Sequence, residues 1–304
     1  MQIRKEKQAM QNFDFDIVCD STANLTAKLI KEHDITEIPF PYFLKDKEYN
    51  CRDLEAFDDK EYYSQIKNGA RFTTSQINPQ RYIDYMRPLL ASGKDILFIG
   101  LSSGVSGSFS SAMMAKEQLA EEFPERKIEL IDSHGAGLGE GLLVLKAAEY
   151  RADGIDINKA AEKILAMRER MYQVFIADDL MHLKRTGRLS NAGAVLGTVL
   201  GIKPLLKGNA EGKIVAFGKI RGRKKSIEAM AEKYFSLAEN AENQTVGITY
   251  ADCKEDAEYL ASLISERLAP KEMLILKHEP VTGSHLGPGA LALFFEGDSD
   301  VRNK

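Results

Sequence analysis

Apolar and polar residues fall into a repeating block pattern along this chain. Phe15–Cys19 (FDIVC), Asp95–Leu101 (DILFIGL) and Lys127–Asp132 (KIELID) are short apolar runs of strand length. Each leads through a Ser/Thr- or Gly-rich turn into a helical pattern. The first predicts a helix near Asn24–Glu32, the second Ser108–Phe123 and the third Leu142–Arg151. In the second, Phe109, Ala112, Met113, Leu119, Ala120 and Phe123 fall on one helical face. Strands that alternate with helices predict a mainly parallel sheet covered on both sides.

The rhythm restarts after a helix over Asn158–Arg170. Tyr172–Ala177 (YQVFIA) opens the new unit, and Lys203–Leu206 pairs with Ile214–Ile220 around a turn at Gly208–Gly212. A strand at Thr245–Tyr250, a helix at Lys254–Leu268, a strand at Met273–His278 and a last strand at Ala290–Phe295 follow. The reading is two α/β domains with mainly parallel sheets, spanning 14–170 and 171–304. Residues 1–13 form a disordered or tag-like tail.

Composition narrows the function. With 41 Lys plus Arg against 45 Asp plus Glu, the net charge is -4, without the broad basic field that nucleic acid requires. The longest apolar stretch, Ala192–Ile202, is too short for the ~20 residues of a membrane span, and Met1–Gln11 holds no apolar run that a signal peptide would use. A cytoplasmic protein without stable membrane insertion is expected. Cys19, Cys51 and Cys253 are odd in number and form no C-x-x-C pair, so neither a disulfide framework nor a zinc site is expected. No dinucleotide or nucleotide loop and no metal-ligand spacing are present.

Four segments could carry chemistry. Leu101–Ser108 (LSSGVSGS) lies between a strand and a helix, where free backbone N–H groups, serine hydroxyls and glycines suit an anion. Thr73-Thr74-Ser75-Gln76 precedes Asn78-Pro79, a helix start that leaves the hydroxyl run unexplained. In Thr282–Gly289, three glycines and a proline enclose His285; His33, His134, His182 and His278 lack such a setting and read as structural. Lys184–Arg188 (KRTGR) supplies arginines whose planar fork suits carboxylate or phosphate, and Gly193, Gly197 and Gly201 follow it four apart.

Together these segments resemble the DegV family of fatty-acid-binding proteins. The match rests on Asp20-Ser21-Thr22, Thr74-Ser75-Gln76, Leu101–Gly107, Thr186-Gly187-Arg188 and His285 within SHLGPGALAL, in that order from about Phe15 to Phe295. The resemblance implies a fatty acid buried between two domains. It also implies a separate ATP-dependent kinase subunit that phosphorylates the bound carboxylate to an acyl phosphate. On this basis Thr74, Ser75, Ser106 and His285 would hold the carboxylate, with Ser103, Gly104, Gly107 and Gly287 as the supporting loops. Arg188 would serve the phosphate or the kinase, and Arg185 is its fallback. No cofactor is implied beyond the lipid itself. The chain departs from the family at Thr186, where a glycine is more usual, and at Ile77, where proline is common.

The alternative is a serine hydrolase using Ser106 and His285. Against it, Gly104-Val105-Ser106-Gly107-Ser108 lacks the second glycine of the G-x-S-x-G elbow.

Overall fold

The computed structural model describes residues 15–51, 53–190 and 202–304. The expected tail and the glycine-spaced run over 192–201 lie outside them. In chain order the first part comprises β1 (Phe15–Asp20), α1 (Ala27–Glu32), β2 (Ile35–Ile38), β3 (Tyr42–Leu44) and β4 (Lys47–Tyr49). It continues with α2 (Asp59–Lys67), β5 (Phe72–Thr74), α3 (Pro79–Ala91), β6 (Asp95–Gly100), α4 (Ser108–Glu122), β7 (Ile128–Asp132), α5 (Leu138–Ala152) and α6 (Ile157–Arg170). Strands β2-β1-β6-β7 form a sheet in which every pair is parallel. Its central strands are near-continuous apolar runs, as burial on both faces demands.

The second part holds β8 (Met171–Ile176), α7 (Met181–Arg185), β9 (Ile202–Gly208), β10 (Ile214–Arg221), α8 (Arg223–Leu237) and β11 (Thr245–Tyr250). It ends with α9 (Lys254–Arg267), β12 (Glu272–Lys277), α10 (Pro280–Leu286) and β13 (Leu291–Glu296). The α/β class holds, but this sheet corrects the expectation of mainly parallel pairing. Its order is β10-β9-β8-β13-β11-β12, and only β11 and β12 run parallel. The physical reason lies in the connections. The β9–β10 hairpin forces antiparallel pairing, whereas helix α9 provides the crossover that a parallel pair needs. Strand β13 then returns between β8 and β11 against both.

Two elements position the site. Helix α5 is buried nearly all round, from Leu138 to Val144, because it packs on both sheets. A small antiparallel sheet, β4-β3-β5, was not foreseen, nor was α2 beside it. Tyr62 of α2 donates its hydroxyl to the carbonyl of Pro280 at 2.8 Å, and Lys277 donates to the carbonyls of Glu55 and Phe57. These contacts bring β5, and with it Thr74, against α10. No helix among the described residues is long and apolar enough to cross a membrane.

Candidate functional site

A cleft lies between the two larger sheets. Its floor comes from two paired strands. Phe175 faces Ala292 and Gln173 faces Phe294 across the β8–β13 ladder, and all four line the cleft. Phe40, Leu101, Val105, Leu183 and Leu286 add apolar surface.

At one part of the lining, hydroxyls and imidazole meet. Thr74 Oγ1 and His285 Nε2 lie 2.8 Å apart, although 211 residues separate them in sequence. Thr74 ends β5, and His285 occupies the last turn of α10. Helix α10 corrects the expectation of a loop at Thr282–Leu286. The Glu279 carboxylate caps it by accepting the N–H groups of Val281 and Thr282, and Pro280 occupies its first turn. The Glu279-Pro280 pair was therefore a start signal of the same kind as Asn78-Pro79, which does open α3. Gly287 ends α10 at a φ of +77°, where a side chain would also meet the His182 ring, so only glycine fits.

Ser106 and Arg188 line the same cleft. The serines of the Leu101–Ser108 segment have separate duties. Ser102 donates to the carbonyl of Gly212 at 2.8 Å, and Ser108 Oγ accepts the Ile77 N–H at 3.0 Å. Ser103 is exposed, with its N–H directed to Asp132. Ser106 remains at the lining, where its hydroxyl contacts Ser108 Oγ at 3.1 Å and accepts the Ser108 N–H at 3.2 Å. Gly104 seats the loop against the second half of the chain: a Cβ there would lie 2.5 Å from the carbonyl oxygen of Gly212. Gly107 lines the cleft beside Gln76.

Arg188 donates from Nε to the carbonyl of Val105 at 3.3 Å and from Nη1 to the carbonyl of Thr186. Among the described residues lining the cleft, Arg188 alone bears a fixed charge, and no carboxylate is present. Burial and then the Arg188 charge hold His285 down at about 4. Its Nδ1 is buried without a partner. The described lining thus holds hydroxyl, imidazole and guanidinium groups and no carboxylate.

Ser75 and Arg185, also named from the sequence, stand apart from the lining as Ser103 does. Ser75 is exposed and is not among the residues lining the cleft; its neighbour Gln76 is there instead. The strand turns Thr74 inward and leaves the next residue outside. Arg185 is exposed and contacts His182 Nδ1 at 3.1 Å on a neighbouring surface cleft. Conversely, His134 and His278 both reach the cleft, which their sequence surroundings did not signal. His278 is buried between Thr249 and Thr282, and burial lowers it to about 3.

The hydrolase alternative fails on geometry. A triad needs the histidine hydrogen-bonded to the serine on one side and to a carboxylate on the other. Here His285 Nε2 faces Thr74, its Nδ1 meets no acceptor, and Ser106 faces Ser108. Among the described residues no group of three or more His, Cys, Asp or Glu could hold a metal ion.

Comparison with known proteins agrees with this architecture. A profile of the DegV family, described as uncharacterised proteins, matches residues 14–298. A DegV domain-containing protein of Clostridium perfringens is 35% identical over 285 residues, covering 94% of this chain and 98% of its own. The structure of DegV from Bacillus subtilis, described as a fatty acid binding protein, superimposes with a TM-score of 0.81 at 30% identity. It covers 94% of this chain and 100% of its own. A DegV family protein from Thermus thermophilus, described in terms of fatty acid binding, gives 0.85 at 28% identity over 94% and 100% of the two chains. With a family match over nearly its whole length and a relative at 35% identity, the chain belongs to the DegV family.

Proposed function

We propose that this protein binds a long-chain fatty acid in the cleft between its sheets, held at the carboxylate by Thr74, Ser106 and His285. The observation that carries this reading is the polar corner itself. One hydroxyl–imidazole pair, a second hydroxyl and one arginine line an otherwise largely apolar cleft whose described residues include no carboxylate. The described fatty-acid binding of its relatives supports the same ligand class.

The energetics divide cleanly between tail and head group. Burying about 14 methylenes at about 0.8 kcal/mol each contributes about 11 kcal/mol before ordering costs. Each hydrogen bond to the charged head group adds about 1.5–3 kcal/mol. The tail therefore supplies affinity, and the corner fixes which end of the ligand points outward.

That orientation suits a carrier. The protein presents the carboxylate to a separate ATP-dependent kinase subunit, which converts it to an acyl phosphate. Arg188, whose fork fits phosphate oxygens, stabilises the charge that develops during transfer. The test of the ligand is direct: purified protein is denatured, extracted and analysed by mass spectrometry. The extract should contain a fatty acid, and added hexadecanoate should raise the melting temperature of stripped protein. Repeated extracts without fatty acid, together with no thermal shift, would refute the reading.

A further inference from the structure

We propose that the segment Asp20–Asn24 is the positioning hub of the cleft, and that Glu140 completes it as a neutral acid donating its proton to Thr22. The role in ligand binding rests on the fatty-acid reading above; the placement of the proton does not.

Four side chains of this segment each hold a different wall. Asp20 Oδ2 accepts the N–H of Leu101 at 3.1 Å, fixing the start of the loop that carries Ser106. Ser21 Oγ accepts the N–H of Phe40 at 2.9 Å, and Phe40 lines the cleft. Thr22 Oγ1 contacts Glu140 Oε2 at 3.0 Å, tying down the first turn of α5 behind Gly135–Gly137. Asn24 reaches across to the other sheet: its Oδ1 accepts the Glu279 N–H at 2.7 Å, and its Nδ2 donates to the carbonyl of Lys277 at 3.0 Å. Glu279 in turn caps α10, which carries His285. Asn24 holds this position with a left-handed backbone, φ 59°.

Counting hydrogens places the proton. Thr22 Oγ1 contacts both Asp20 Oδ1 and Glu140 Oε2 yet has one hydrogen to give. Asp20 also accepts the N–H of Thr22 at 3.0 Å and that of Leu101, so three donors converge on it. Such a carboxylate is favoured in its ionised form. Glu140 has no N–H donor among its contacts, and its Oε1 is buried without a partner. Hence Thr22 donates to Asp20, and the remaining contact requires a hydrogen from Glu140. The groups around the pair agree: Glu140 faces Asp20 of β1, Glu37 of β2 and Glu279 beside α10, with Cys19 and Tyr82 nearby. Burial raises both acids, Glu140 well above the usual carboxylate range.

The ligand-free test is an infrared difference spectrum of the parent against Glu140→Gln at about pH 8, where Glu279 is largely ionised given its midpoint of about 7. The parent should show the carbonyl band of a buried protonated acid, and Glu140→Gln should lack it. A band of equal strength in both proteins would overturn the proton assignment. The positioning role is read from hexadecanoate affinity. Thr22→Val, which keeps the shape and removes the hydroxyl, should bind about tenfold more weakly, and Thr22→Ser should restore most of the loss. Thr22→Val with parental affinity would overturn the hub. Should Thr22→Val fail to fold, the pair Glu140→Leu and Glu140→Gln repeats the comparison, with recovery expected only in the glutamine variant. A parent protein that did not bind hexadecanoate would instead refute the ligand, with the infrared result still standing.

Discussion

Two polar clusters flank one cleft, and they are built on opposite principles. The corner of Thr74, Ser106, His285 and Arg188 contains a cation, no carboxylate and an imidazole nitrogen without a partner. The hub of Asp20, Thr22 and Glu140 contains two carboxylates, no cation and no solvent exposure. On the proposed reading, the first is completed by the anion it binds. The second is complete only when it retains a proton. A buried polar group without partners costs more than a satisfied one gains, so under the proposed reading the corner would select its ligand and the hub its own geometry.

The clusters also answer pH in opposite directions. His285 and His278 sit at about 4 and about 3, below the ordinary value of 6.5, so the unfolded chain binds more protons than the folded one across that interval. Stability from these groups therefore rises with pH until it passes about 6.5. Glu140 and Glu279 are raised from 4.5, Glu279 to about 7, so the folded chain binds more protons there. Their contribution is full below the ordinary value of 4.5 and is lost as pH rises through the raised values.

The largest expected effect lies at the outward edge of the corner. Arg188→Ala should leave hexadecanoate binding within about threefold while acyl-phosphate formation with the kinase and ATP falls about a hundredfold or more, the scale of a lost charge-stabilising donor. Normal turnover would remove Arg188 from phosphoryl transfer, and Arg185→Ala is the next variant to assay. Inside the corner, Ser106→Ala should weaken hexadecanoate by about 1–3 kcal/mol by calorimetry. For the hub, Glu140→Gln should gain stability relative to the parent as pH rises above about 4.5, with a limiting slope of about 1.4 kcal/mol per pH unit. Parallel melting curves across pH would contradict a neutral Glu140. The smallest effect belongs to Ser75→Ala. As an exposed neighbour of the corner it should change affinity and stability by less than about 0.5 kcal/mol, and a loss as large as that of Ser106→Ala would return Ser75 to the site.

The legibility of these two regions from sequence differs for the same physical reason. Strands such as Phe15–Asp20 and Thr245–Tyr250, and helices such as Ser108–Glu122, were readable because burial imposes a local period on them. The β3–β5 sheet has strands of three residues each, too short for any period to show. The antiparallel order of the second sheet depends on where β13 inserts, which no local pattern encodes. Thr74, Ser106, Arg188 and His285 stood out because hydroxyls, glycines and basic residues cluster around them in sequence. Glu140 did not, since a lone glutamate at the start of an apolar helix looks like an ordinary first-turn acid. Its partners Asp20 and Thr22 are 120 and 118 residues away, and only the fold brings them together. His134 and His278 were missed for the same reason.

If the corner reads a carboxylate, His285 should distinguish an acid from an alcohol of the same tail. Calorimetry of hexadecanoic acid and hexadecanol on the parent and on His285→Ala measures that difference. The variant should lose about 1–3 kcal/mol toward the acid and almost nothing toward the alcohol, because the tail contributes equally to both ligands. Equal losses for acid and alcohol would contradict it and leave His285 a residue that shapes α10 without recognising the head group.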